Sequence, residues 1–204
     1  GKMVSIEDLL AHQPYDEVFA ASLSAEDIAR LVEWLVSTDD QLRYGALQCL
    51  QLRSRLDDAV FAHWEAFVQR LNSDHSYQRS IGALLLSENA RWASAEQFSA
   101  VISAYLVLCD DEKFITARQS LQALARALPW QPQICPQVAE ALLTIDLMPR
   151  KDSQRKLLLL DICSVLAVAQ RIQPDERILR YVQDACTGGL LDKKAVKQVA
   201  AMFS

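Results

Sequence analysis

The sequence predicts an all-α fold, an α-solenoid built as a superhelical stack of antiparallel helix pairs. Two features of composition favour helices: the 204 residues include only five Gly and six Pro, and aromatic residues make up 7%. A β-sandwich needs many tight turns and is therefore disfavoured. The third observation is one pattern that recurs along the chain: an amphipathic helix, a short acidic turn, an Arg early in the next helix, and an apolar run.

Capping boxes predict where three of the helices begin. In this motif a Ser side chain and an acidic or amide side chain three residues later each bond the other residue's backbone N–H. The pairs are Ser5 with Asp8, Ser24 with Asp27, and Ser94 with Gln97.

The first helix of each pair has one apolar face. Between residues 26 and 36 the apolar positions Ile28, Leu31, Val32 and Leu35 follow the i, i+3, i+4, i+7 spacing of a helix with one buried side. The same spacing predicts outer helices over 57–72 and 97–109.

The second helices carry broader apolar faces, as helices covered on several sides do. They are predicted over 41–55, 77–91, 115–128 and 153–170. Pro129 and Pro132 interrupt the stack, a helix from Pro174 stops at Gly188-Gly189, and Asp192 opens a last helix over 192–203.

Four arginines mark the repeat, Arg43, Arg79, Arg118 and Arg155. Their separations are 36, 39 and 37 residues, close to the roughly 40 to 47 residues of a HEAT or armadillo unit. This near-constant spacing predicts a single domain over 1–204. Its predicted units are roughly 24–56, 57–92, 94–129 and 132–170, with a C-terminal cap over 174–204.

The pattern resembles that of HEAT-repeat proteins. In that family an Asp in the turn and an Arg at the start of the second helix form a ladder along the stack. The matching pairs here are Asp40 with Arg43, Asp74 with Arg79, Asp111 with Arg118, and Asp152 with Arg155. The Asp-to-Arg interval varies from 3 to 7 residues, so the resemblance is to a loose version of the repeat.

The chain also resembles, more distantly, the bacterial HEAT-like DNA glycosylases that remove alkylated purines. That resemblance implies a basic concave groove lined by aromatic residues, with an essential Asp. The aromatic candidates are Trp34, Trp64, Trp92 and Trp130, and none has an Asp one helical turn later.

Charge is distributed unevenly. Residues 1–102 hold 8 Lys and Arg against 15 Asp and Glu, a net charge of −7, and the whole chain carries −5. Such a balance disfavours nucleic acid as a partner, because phosphates would be repelled on average by the N-terminal half.

Motifs for catalysis, cofactors and metals are missing from the sequence. There is no P-loop, G-x-G-x-x-G or G-x-S-x-G motif, and the three His and five Cys lack metal-ligand spacing. We therefore expect no enzyme activity, no cofactor and no bound metal, and buried free thiols.

Localisation is predicted from what the sequence lacks. The longest apolar run, near Leu157, is interrupted by Asp161 and is too short to span a bilayer. The start, Gly1-Lys2-Met3-Val4, has no apolar h-region of a secretory signal. We expect a cytoplasmic protein without a membrane segment.

These observations favour a non-enzymatic scaffold that binds a protein or peptide on the concave surface of its second helices; the alternative is a nucleic-acid-binding protein related to the repair glycosylases. The candidate contacts are Arg43, Tyr44, Tyr77, Arg79, Arg118 and Arg155. The arginines have two interpretations that the sequence leaves open: a row that binds an acidic segment or phosphates, and an internal ladder that stabilises the stack.

Three other charged features carry expectations of their own. Asp161, inside an apolar helix, is expected to pair with Arg118 or Arg155, because a buried carboxylate without a partner is costly. The basic cluster around Arg150 and Lys156, and the three lysines of the last helix, fit either a solvated surface or a partner contact.

Overall fold

A computed structural model describes residues 3–204, which contain helices and turns and no β-strand. Gly1 and Lys2, part of the segment behind the localisation prediction, lie outside the described residues. The chain divides into two compact units, one ending at Ala93 and the other running from Ser94 to Ser204.

Between Met3 and Ala93, the described part of the first unit contains six α-helices. They are α1 (Ile6–Ala11), α2 (Glu17–Ser22), α3 (Ala25–Trp34), α4 (Asp40–Leu56), α5 (Trp64–Arg70) and α6 (Ser76–Glu88). Short 3₁₀ helices cover Val60–His63 and Asn89–Arg91. Helix α4 packs against α1, α2, α3 and α6, and α5 packs against α6.

The second unit also contains six α-helices. They are α7 (Ala95–Leu108), α8 (Phe114–Ala127), α9 (Cys135–Leu143), α10 (Asp152–Ile172), α11 (Glu176–Thr187) and α12 (Lys193–Met202). Two 3₁₀ helices, Leu128–Trp130 and Pro132–Ile134, form the Pro-bounded break. Helix α10 packs against α8, α9, α11 and α12.

Within each unit, consecutive helices pair, and the second helices of neighbouring pairs also touch. The consecutive pairs are α3 with α4, α5 with α6, α7 with α8, α9 with α10, and α11 with α12. The contacts between second helices are α4 with α6, α8 with α10, and α10 with α12. The broad apolar faces of these helices are explained by this double set of neighbours.

The helix starts predicted from the three capping boxes and from Asp192 are confirmed. All three capping boxes form, with the Ser hydroxyl and the partner side chain each accepting a backbone N–H. Asp192 caps α12 by accepting the Ala195 N–H at 2.8 Å. After α11, Gly189 adopts φ +88°, a conformation that only glycine takes without strain, and the chain turns there.

Two local predictions differ from the structure. The helix predicted over 57–72 starts as the 3₁₀ turn at Val60 and becomes α-helical only at Trp64, because Asp57 is extended and its carboxylate caps the Ala59 N–H. The sequence pattern also missed α2, a six-residue helix that Asp16 caps through the Phe19 N–H.

Among the described residues, no helix is long and apolar enough to cross a membrane.

Candidate functional site

The repeated arginines mostly bond to the turn just before their own helix. Arg43 donates to the Ser37 carbonyl at 2.9 Å and to the Asp40 carboxylate at 2.5 Å, and it is only 9% exposed. Arg79 donates to the carbonyls of Ser73 and Asp74 at 3.0 and 3.3 Å. In each case the guanidinium binds a carbonyl that the turn leaves outside helical hydrogen bonding.

Arg155 repeats this arrangement in the second unit. Its guanidinium donates to the Met148 carbonyl and to the Asp152 carboxylate, both at 2.7 Å. Two of the four Asp–Arg pairs implied by the HEAT resemblance are therefore present as ion pairs, Asp40 with Arg43 and Asp152 with Arg155.

Arg118 points to a different partner, the buried carboxylate of Asp161 on α10. The Arg118 Nε lies 2.8 Å from Asp161 Oδ2, and Gln122 donates to Oδ1 at 3.2 Å. The hydrogen bond to Asp161 raises the pKa of Arg118 above its ordinary value. The predicted pairing of Asp161 is confirmed, with Arg118 as the partner.

The basic cluster at the start of α10 is engaged by carboxylates. Arg150 binds Asp110 at 3.1 Å, and Lys156 binds Asp192 at 2.8 Å. On α12 the three lysines, Lys193, Lys194 and Lys197, are exposed.

Two exposed aromatic side chains, Tyr44 and Tyr77, lie beside the Arg43 guanidinium in the first unit. The Arg43 guanidinium carbon lies 4.5 Å from the Tyr77 ring centroid and 5.7 Å from that of Tyr44. His75 stacks on Tyr77 with ring centroids 5.3 Å apart. Tyr44 is 57% exposed and Tyr77 37% exposed, so both rings are available to a partner.

A surface groove of about 630 Å³ in the first unit includes Tyr77 in its lining. We call it the Tyr77 groove. It is lined by Val36, Thr38, Ala66, Gln69, Arg70, Ser73, His75, Tyr77 and Gln78. The groove lies where the α3–α4 turn meets α5 and the start of α6.

Arg70 is a groove residue that the sequence analysis did not single out. Its Nε donates to Gln78 Oε1 at 3.1 Å, and its Nη1 donates to the Ala66 carbonyl at 2.5 Å. Gln78 is itself fixed, because its amide donates to the Leu35 carbonyl at 2.6 Å. No carboxylate of the described chain pairs with Arg70, and burial lowers the pKa of its guanidinium.

The structure thus separates the six predicted contacts. Arg43, Tyr44, Tyr77 and Arg79 lie on α4 and α6 of the first unit, and Arg118 and Arg155 lie on α8 and α10 of the second. Among these six residues, the Arg43 guanidinium lies against the rings of both Tyr44 and Tyr77.

The tryptophans implied by the glycosylase resemblance lie outside the Tyr77 groove. Trp64 is buried, and the Trp92 indole donates to the Ser54 carbonyl at 2.7 Å. The Arg30 guanidinium lies over the Trp34 ring at 5.3 Å. Trp130 is 53% exposed in the Pro-bounded break.

The four buried thiols are poor candidates for nucleophiles. Four of the five cysteines are buried and all are free, as predicted, and burial raises the pKa of Cys49 and of Cys163 to about 12. A thiol with so high a pKa carries almost no thiolate at neutral pH. The described residues hold no group of three or more His, Cys, Asp or Glu side chains placed to bind a metal ion.

Comparison with known proteins shows similarity in structure alone. No protein-family model matches the chain, and no curated protein sequence is significantly similar to it. A crystal structure of an engineered protein from the Northeast Structural Genomics Consortium is similar over 98% of this chain and 95% of that one, with a TM-score of 0.55 and 18% sequence identity. At this identity the similarity concerns the helical fold and carries no function.

Proposed function

We propose that the chain is a non-enzymatic scaffold of HEAT-like helix pairs, an α-solenoid, that binds a protein or peptide segment at the Tyr77 groove. The helix contacts support the repeat architecture, because each described pair stacks its second helix on that of a neighbour within its unit. Stacked pairs expose a continuous row of helix surfaces, which repeat proteins use for extended binding.

The observation that carries the proposal is that two exposed tyrosines, Tyr44 and Tyr77, lie beside the guanidinium of Arg43. Tyr and Arg are enriched among the residues that dominate binding energy, and a ring already fixed in place loses little conformational entropy on binding. Arg43 is bound to Ser37 and Asp40, so it fixes the ring of Tyr77 from one side.

The four arginines then have a role different from direct partner contact. Arg43, Arg79 and Arg155 donate to their own turns, and Arg118 donates to Asp161. These bonds support the internal-ladder interpretation. In the proposal the partner contacts the tyrosines, and Arg43 acts as a positioning residue.

A peptide-display selection on the full chain tests the proposal. Random peptides are selected against the wild-type protein, and the affinity of the enriched peptides is measured by fluorescence polarisation for Tyr44→Ala and Tyr77→Ala. We expect each substitution to weaken binding about tenfold or more, as for a residue at the energetic centre of an interface.

Trp130→Ala is the matched control, since it removes an exposed aromatic side chain outside the groove. It should leave the affinity unchanged. Failure to enrich any peptide, or equal binding by the tyrosine variants, would contradict the proposal. Salt-sensitive binding of duplex DNA that persists in Tyr77→Ala would favour the nucleic-acid alternative instead.

A further inference from the structure

The Tyr77 groove contains a cation without a counter-charge. Arg has five N–H donors, and the Arg70 donors bound within the described chain go to two neutral oxygens, of Gln78 and Ala66. The remaining donors belong to a side chain that lines the groove. Guanidinium groups that are partly removed from water usually pair with a carboxylate or phosphate.

The lining of the groove has no acidic residue that could supply that charge. Its hydrogen-bonding side chains are Thr38, Gln69, Ser73, His75, Tyr77 and Gln78, with Arg70 as the positively charged one. A ligand carboxylate would therefore meet donors and hydroxyl groups without a neighbouring carboxylate to repel it.

The acidic residues of the adjacent turns are Asp39, Asp40 and Asp74, and none of them lines the groove. Asp39 caps α4 by accepting the N–H groups of Gln41 and Leu42, and Asp40 pairs with Arg43. Asp74 is exposed on its turn. Because none of these carboxylates lines the groove, the Arg70 guanidinium is left to pair with a carboxylate of the ligand.

Arg70 is also held in one orientation. The bonds from Arg70 to Gln78 and from Gln78 to the Leu35 carbonyl link α5, α6 and the end of α3. Gln78 is 7% exposed, so this link is protected from water. A fixed, planar guanidinium suits two-point binding of a carboxylate, and the entropic cost of ordering it has already been met by folding.

We infer that the Tyr77 groove binds a peptide through a side-chain carboxylate, Asp or Glu, that pairs with Arg70 while apolar neighbours contact Tyr44 and Tyr77. This inference rests on the proposed function. It names the chemistry of the peptide, and it assigns to Arg70 the contact that the sequence pattern suggested for the repeated arginines.

The net charge of the first unit limits the peptide to isolated acidic residues. Residues 1–93 hold 8 Lys and Arg against 14 Asp and Glu, a net charge of −6. A run of acidic residues would be repelled, whereas one carboxylate in direct contact with Arg70 outweighs charges that lie beyond the screening length of about 8 Å at physiological ionic strength.

The test uses one peptide enriched in the display selection, amidated at its C terminus and labelled with fluorescein, and a version in which its acidic residue is replaced by the amide. Affinities are measured for the wild-type chain, Arg70→Met and Arg70→Lys. We expect Arg70→Met to weaken the acidic peptide about tenfold or more, and Arg70→Lys to weaken it less, because Lys keeps the charge and loses the fork.

The amide peptide should bind Arg70→Met and the wild-type chain equally, and this arm also reports whether Arg70→Met is folded. Arg30→Met is the matched control: it removes the same charge from the same unit, outside the groove lining. It should leave both affinities unchanged.

Two results would overturn the inference and leave the proposed function standing. One is enrichment of peptides that lack Asp and Glu and depend on Tyr77; the other is an equal loss of acidic and amide peptides in Arg70→Met. If no peptide is enriched at all, both proposals are wrong.

Discussion

A charge buried in a helical core requires a partner, and Asp161 with Arg118 shows how this chain meets the requirement. Asp161 is 7% exposed within α10 and receives hydrogen bonds from Arg118 and Gln122 on α8. The cost of removing the carboxylate from water is offset only while those donors are present. The pair therefore favours one alignment of α8 against α10, the one in which Arg118 reaches Asp161.

Arg118→Met should destabilise the protein by about 3 kcal/mol, because it leaves a buried carboxylate without its ion-pair partner. The double variant Arg118→Met with Asp161→Leu should recover most of that loss. Urea unfolding followed by circular dichroism measures both. Arg155→Met is the control: its partner Asp152 is exposed, so a loss of about 1 kcal/mol or less is expected. Equal losses in the two single variants would contradict this account.

At single residues, the sequence predicted the pairing of Asp161 but not the place of Arg70 in the groove. The sequence limited the partner of Asp161 to Arg118 or Arg155, and the structure selects Arg118. The position of Arg70 was not predictable, since an Arg on an amphipathic helix normally faces solvent; its place in the groove depends on Gln78 and Leu35, which are 8 and 35 residues away in the sequence.

At the scale of the helices, local capping motifs determined where helices start, and tertiary contacts determined which side chains pair between helices. Capping boxes at Ser5, Ser24 and Ser94 act within four residues and were predicted correctly. The predicted Asp111–Arg118 ladder pair is replaced, because Asp111 accepts the Lys113 N–H and Arg118 reaches Asp161. The packing of α8 against α10 determines which carboxylate Arg118 binds, and the spacing of Asp and Arg in the sequence does not show this choice.

Helix α6 packs so closely on α5 that one glycine decides the contact. A Cβ atom at Gly82 would lie 2.9 Å from the Phe67 carbonyl oxygen and 3.0 Å from Arg70 Cβ. Gly82→Ala should therefore destabilise the protein by about 1–3 kcal/mol through overpacking, although Ala is favoured over Gly in a helix by about 0.5–1 kcal/mol.

Gly45→Ala in α4 is the matched comparison. There the added Cβ meets the hydroxyl end of Tyr15, a partly exposed side chain that can rotate away, so a loss smaller than that of Gly82→Ala is expected. Thermal unfolding of the two variants checks the order. A more stable Gly82→Ala would show that α5 and α6 separate without cost, and the rigid placement of Arg70 would then be doubtful.

Across the whole molecule, charge differs between the two compact units. Residues 1–93 carry a net charge of −6, and residues 94–204 hold 13 Lys and Arg against 12 Asp and Glu, a net charge of +1. Self-repulsion destabilises a compact state, and salt screens it. The prediction of a single domain over 1–204 remains to be tested by separating the units.

Fragments 1–93 and 94–204 should each keep a helical spectrum and unfold cooperatively in urea, because each contains several packed helix pairs. Raising the salt from about 50 mM to about 500 mM should stabilise fragment 1–93 clearly and fragment 94–204 little, since screening relieves repulsion only where net charge is large. The urea midpoints at the two salt concentrations measure this difference. If either fragment loses its helices, the boundary at Ala93 does not separate independent folding units, and the chain behaves as the single repeat domain that the spacing of its arginines predicts.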